Sequence, residues 1–82
     1  VWEDRSGRLD HDGLVLLWQQ VADDLLDDIR RGVLAPGAKL PNELELAEIY
    51  GVSRVTVRTA ILNLRNQGYL TVTIGRGTFV SR

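Results

Sequence analysis

Apolar residues return along this chain at two different spacings, and each spacing predicts its own element. Leu14, Leu17, Trp18, Val21, Leu25 and Ile29 fall on one stripe with a helical period, with Ala22 on its flank. They predict a first helix, with Asp12 as a candidate cap and Gly32 as its stop. Arg30 and Arg31 fall in the last turn, where cations suit the negative end of the helix dipole. Asp23, Asp24, Asp27 and Asp28 occupy the opposite side and read as a solvated face. Carboxylates on one exposed helix do not make the cage of six or more oxygens that a calcium site needs. Ala35-Pro36-Gly37-Ala38 is a turn and Lys39-Leu40-Pro41 a short extended piece. Asn42-Glu43-Leu44-Glu45 has the order of a capping box, with Asn42 as N-cap and Glu45 reaching back. A second helix then runs to about Tyr50, with Leu46, Ala47 and Tyr50 inward and Leu44 nearly opposite.

Gly51-Val52-Ser53 breaks that helix and starts another. Gly51 can turn left-handed without steric cost, Val52 can plug the turn into a core, and Ser53 is a strong N-cap. Val57, Ala60, Ile61 and Leu64 make the apolar face of a third helix that stops at Gly68. Arg54, Val55, Thr56, Arg58 and Thr59 lie in its first two turns, mostly off that face. The period then changes to two: Tyr69–Ile74 alternates and is rich in β-branched residues, and Thr78-Phe79-Val80 forms a second strand. Gly75-Arg76-Gly77 is expected to join them as a three-residue loop. The predicted fold is mainly α with a small β-hairpin. It is a winged helix-turn-helix of three helices plus a two- or three-stranded wing sheet, the third strand being Lys39-Leu40. Residues 1–12 are polar and unpatterned and are expected as a flexible arm, with 13–82 as the domain.

Charge sharpens this picture. The net charge is −1, yet all eleven acids lie within residues 3–48, against five basic residues there. Residues 51–82 carry Arg54, Arg58, Arg65, Arg76 and Arg82 and no acid. The basic half is the half with the third helix and the wing. A helix N-terminus bearing two guanidiniums, hydroxyls and free backbone N–H groups suits phosphates at its end and base edges beside it. There is no cysteine and one histidine, His11, which removes thiolate chemistry and most metal and acid–base sets. No nucleophile–base pair or phosphate-cradling loop is present, so no catalytic residue, metal or cofactor is expected. No apolar run approaches the roughly 20 residues of a membrane span, and residues 1–8 do not resemble a signal peptide, so a cytoplasmic location is expected. The chain starts at Val1 and contains no methionine, and reads as a processed chain or a domain cut from a longer one.

From Trp18 onward the sequence resembles the DNA-binding domain of the GntR family of bacterial transcription regulators. The resemblance rests on Ile29, Gly32, Pro36-Gly37, Leu40-Pro41, Glu43, Leu46-Ala47, Gly51-Val52-Ser53-Arg54, Thr56-Val57-Arg58, Ala60, Leu64, Gly68, Leu70 and Gly75-x-Gly77-Thr78-Phe79-Val80. It implies a homodimer on a pseudo-palindromic double-stranded operator, joined through an effector domain that follows the wing and is missing here. It also implies that Arg54 and Arg58 reach guanines or adjacent phosphates, that Ser53 and Thr56 hold phosphates, and that the Gly75–Gly77 tip reaches the minor groove. Two positions depart from the family. Leu44 stands where an arginine is usual and cannot donate a hydrogen bond. Val55 replaces a small polar residue and can meet a thymine methyl instead.

The candidate DNA-binding set is therefore Asn42, Glu43, Ser53, Arg54, Val55, Thr56, Arg58, Thr59, Gly75, Arg76, Gly77 and Thr78. The expected function is sequence-specific DNA binding for a transcription regulator, a repressor in the leading reading. The alternative is a winged helix used only for protein contacts, with the acidic first helix as its contact face. Clustered arginines on the third helix and wing favour DNA, and salt-sensitive duplex binding separates the two. Arg65 reads as a solvated residue, Trp18, Tyr50, Tyr69 and Phe79 as core or rim, and His11 as inert.

Overall fold

The computed structural model describes residues 1–82. Leu17–Arg30 forms helix α1, Glu43–Tyr50 helix α2 and Arg54–Asn66 helix α3, followed by strands β1 (Leu70–Thr73) and β2 (Gly77–Val80). The inward stripes meet in one core. Val21, Ala22 and Leu25 of α1 pack with Leu46, Ala47 and Tyr50 of α2 and Val57, Ala60 and Leu64 of α3. Leu34, Leu40, Leu70 and Val80 close it on the sheet side. Each helix buries a narrow stripe because its apolar residues recur three and four apart, which places them on one side of the cylinder.

The caps of α2 and α3 follow the sequence. The Asn42 side chain accepts the Glu45 N–H at 2.8 Å and the Glu45 carboxylate accepts the Asn42 N–H at 3.0 Å, completing the capping box. Gly51 closes α2 at φ +68°, and Ser53 Oγ caps α3 by accepting the Thr56 N–H at 3.1 Å. A side chain at position 51 would be strained by that φ, and its Cβ would meet Ser6 Cβ at 3.0 Å.

The start of α1 differs from expectation. The helix begins at Leu17 with Leu16 in the cap position and no side-chain cap, and Leu14 is wholly exposed. Gln20 supplies the reason. Its Nε2 donates to the Val15 and Asp10 carbonyls, and its Oε1 accepts the Asp10 N–H at 2.7 Å. Those bonds satisfy backbone groups of Asp10 and Val15 outside a helix, a local alternative to continuing the spiral backward.

The acidic side of α1 is only partly a solvated face. Asp23 and Asp27 are exposed, whereas Asp28 is buried and Asp24 half-buried. Their partner comes from residues 1–12, which lie against α1 and α2 rather than extending away. Arg5 is 2% exposed, Trp2 and Leu9 pack on the core, and Ser6–Arg8 forms a single 3-10 turn.

The wing is an antiparallel pair in the register Leu70↔Val80, Thr71↔Phe79, Val72↔Thr78 and Thr73↔Gly77. Its connecting loop is Ile74-Gly75-Arg76, one residue earlier than predicted. The Arg76 N–H donates to the Thr73 carbonyl at 3.0 Å, and Gly75 takes φ +81° as the third residue of that turn. The expected third strand is a single bridge, Lys39 to Phe79. It is flanked by bonds from the Leu40 N–H to the Thr78 carbonyl and from the Val80 N–H to the Ala38 carbonyl. Pro41 ends it, because proline has no N–H to give.

Candidate nucleic-acid interface

The exposed side of α3 and the N-terminus of α2 form one surface. Arg54, Val55, Arg58 and Thr59 are exposed on α3, and Leu44 on α2 lies half in solvent. The reason is rotational: Val57, Ala60 and Leu64 take the inner side, so the residues between them must point out.

Glu43 ties this surface together. Its Oε2 accepts from Arg58 Nε at 2.9 Å, and its Oε1 accepts from Arg58 Nη2 at 2.9 Å and Arg54 Nε at 3.0 Å. No acid neighbours Arg58 in sequence; this one arrives from the neighbouring helix. Hydrogen bonding from Arg58, joined by that from Arg54, holds the Glu43 carboxyl below its usual range, and the same bond pushes the Arg58 guanidinium up. Both shifts favour the charged form, so Glu43 and Arg58 remain an ion pair at neutral pH. Both arginines remain more than half exposed, so this network orients side chains more than it stabilises the fold. Arg54 gives up only Nε, and Arg58 only Nε and one Nη2 hydrogen. The outer ends of both guanidiniums remain open.

The hydroxyls are differently placed. Ser53 Oγ and Thr56 Oγ1 lie 3.0 Å apart at the helix start, so one hydroxyl hydrogen is used between them and one is left. Thr59 turns its hydroxyl back onto the Val55 carbonyl at 3.0 Å, which uses its donor. Asn42 is committed to the capping box. Thr78 sits beside Glu43 and Arg58 across a cleft of about 150 Å³ lined also by Ile61, Leu62 and Val72. Gly75 and Arg76 lie beyond that cleft at the exposed tip of the hairpin. The structure thus brings Glu43, Arg54, Arg58 and Thr78 together and leaves Gly75 and Arg76 on a separate projection.

Two residues at the wing lie outside the candidate set. Lys39 lies across Gly77: a Cβ at position 77 would fall 2.9 Å from Lys39 Cε, which puts an ammonium-bearing chain against the loop end of the wing. Its place in a Lys-Leu-Pro extended piece was the available signal. Ile74 is fully exposed at the hairpin tip, where the one-residue shift of the loop puts it.

Comparison with known proteins places this geometry. Residues 17–80 match the bacterial regulatory proteins of the gntR family. The chain belongs to the GntR family. It is 53% identical over 64 residues to the uncharacterized HTH-type transcriptional regulator YurK of Bacillus subtilis, covering 78% of this chain and 26% of that protein. It is 47% identical over 66 residues to the HTH-type transcriptional repressor NagR of the same organism, covering 80% of this chain and 27% of NagR. The chain therefore spans about a quarter of the length of these relatives. Among solved structures, the AraR DNA-binding domain in complex with an operator is similar at 40% identity and a TM-score of 0.80, with 83% of this chain and 82% of that one covered. Fold and family together make this GntR unit a winged helix-turn-helix DNA-binding domain of a transcription regulator, not an enzyme, and decide against a module for protein contacts alone. No helix is long and apolar enough to cross a membrane.

Proposed function

We propose that this GntR domain reads a pseudo-palindromic operator as one half of a cytoplasmic homodimeric repressor, paired through an effector domain that follows the wing. In this reading α3 lies in the major groove. Arg58 reads a guanine, Arg54 contacts a base or the adjacent phosphate, and Val55 meets a thymine methyl. The spare hydroxyl hydrogen of Ser53 or Thr56 and the N-terminus of α3 hold a phosphate. Asn42 and Glu43 stand at the N-terminus of α2, with Glu43 orienting the two arginines. Thr59 gives its hydroxyl hydrogen to the Val55 carbonyl and offers DNA only an acceptor. Gly75, Arg76, Gly77 and Thr78 carry the wing to the minor groove, where Arg76 meets its narrow, negative floor. The repressor assignment and the DNA contacts draw support from NagR, named a repressor, and from AraR, solved on an operator.

The observation that carries the proposal is the Glu43 clamp. It holds two exposed guanidiniums on one helical face with their outer N–H groups open. The test is duplex binding measured against salt. Neutralising about three or four phosphates per domain gives a log–log slope of roughly −3 to −4. A slope near zero would exclude duplex DNA as the partner.

A further inference from the structure

The most buried large polar side chain in this protein lies within its N-terminal segment. Arg5 is 2% exposed. Nη1 donates to Asp24 Oδ2 at 2.8 Å and to the Tyr50 hydroxyl at 3.0 Å. Nη2 donates to the Val1 carbonyl at 2.9 Å and lies 2.7 Å from Asp28 Oδ2. The Tyr50 hydroxyl in turn donates to Asp24 Oδ2 at 2.6 Å. The Trp2 ring covers the guanidinium, its centroid 4.5 Å from the central carbon, and the Tyr50 ring stands at 5.8 Å. Asp24 and Asp28 are one helical turn apart on α1, and Tyr50 is the last residue of α2.

We propose that Asp24, Asp28 and Tyr50 form a guanidinium-binding site whose resident ligand is Arg5 of the same chain, and that its occupancy clasps the N-terminal segment onto the helix-turn-helix. Three features carry this. Two carboxylates and a phenol converge from two directions on two nitrogens of one planar cation, a geometry that an ammonium point charge does not match. The ligand arrives on a separate segment, since residues 10–16 between it and α1 are largely exposed loop. And the fit is incomplete: Arg5 Nε has no acceptor, and Asp28 Oδ2 has charge contact without a hydrogen bond. Each unmade bond costs stability, so the recess holds its cation less tightly than a fully satisfied one would.

The clasp reaches the turn that aims α3. The Arg5 N–H donates to the Ile49 carbonyl at 2.7 Å, and Ser6 packs against Gly51, which turns the chain from α2 toward α3. With Arg5 in place the segment braces that turn. Without it, Asp28 loses its cation and Asp24 keeps only Arg8.

The test is rescue in the full chain. Arg5→Ala removes the side chain beyond Cβ, and ethylguanidinium replaces what is lost. The variant should melt roughly 10 °C or more below wild type, because it leaves the buried Asp28 without its cation and Asp24 with Arg8 alone. A tethered ligand acts at millimolar effective concentration, so the free cation is added above that, at about 50 mM. Ethylguanidinium chloride should raise the melting temperature of Arg5→Ala and not of wild type, and ethylammonium chloride at equal ionic strength should raise neither. Arg5→Lys should melt near Arg5→Ala. Equal effects of the two salts, no rescue, or an unshifted Arg5→Ala would overturn the site. Wild-type melting that rises with protein concentration would overturn a ligand from the same chain. Should Arg5→Ala fail to fold, hydrogen exchange on wild type decides: the Arg5 amide must be protected alongside α2, and exchange at the unprotected rate sinks the clasp.

Discussion

Replacing Arg58 by alanine should change which sequence this domain prefers while leaving its fold intact. A guanidinium carries five N–H groups. Glu43 takes the Nε hydrogen and one on Nη2, leaving both hydrogens of Nη1 and the second of Nη2 at the outer end. Those remaining donors match the O6 and N7 acceptors of guanine in two parallel bonds without breaking the clamp. Losing one such pair costs roughly fivefold to a hundredfold in discrimination at one base pair of each half-site. Arg58→Lys keeps the charge, yet an ammonium cannot serve Glu43 and guanine through two fixed forks, so it should recover affinity more than selectivity. The side chain is more than half exposed and belongs to no apolar stripe, so melting temperature should barely move. The assay is selection from a randomised duplex pool with wild type and Arg58→Ala side by side, followed by anisotropy titrations on the winning site and its single-base variants. Equal preference at every position for both proteins would refute the assignment of α3 as the reading helix.

Arg76→Ala should lower affinity evenly across sequences and make the salt slope shallower by about 1, as loss of a backbone or groove charge does; a sequence-selective loss would contradict this. Asp24 gives a pH prediction. Burial alone would raise its carboxyl, but hydrogen bonds from Tyr50, Arg8 and Arg5 outweigh it and hold the group below its ordinary value of 3.8. A carboxyl lowered by folding adds stability that is fully present above its unfolded value and is lost as pH falls through the folded one. Urea midpoints of wild type and Asp24→Asn should therefore differ by a constant amount at neutral and mildly acidic pH and converge only below pH 3.8. Convergence already at pH 6 would mean that another group carries the effect.

Local order in this protein is written in residues close together in the chain. The capping box at Asn42 and Glu45, the left-handed Gly51 and the Ser53 cap each depend on neighbours within a few positions, so the two helices of the motif and the turn between them were legible from sequence. The inward stripes were legible for the same reason, because a helix converts spacing into a side. The arginines of α3 could be named as presented groups on that basis alone. What the chain order could not supply were pairings across long separations. Glu43 reaches Arg58 fifteen residues on, and Arg5 reaches Tyr50 forty-five residues on. Neither distance has a periodic signature, since each depends on how two elements are docked. Asp24 and Asp28 looked like Asp23 and Asp27 until the N-terminal segment chose one pair and left the other in water. The start of α1 was decided similarly: the stripe continues back to Leu14, but Gln20 takes the backbone of Asp10 and Val15 and holds the chain out of the helix. Propensity and period set where elements can form; charge pairing between distant segments set which polar residues were buried and how far α1 extends.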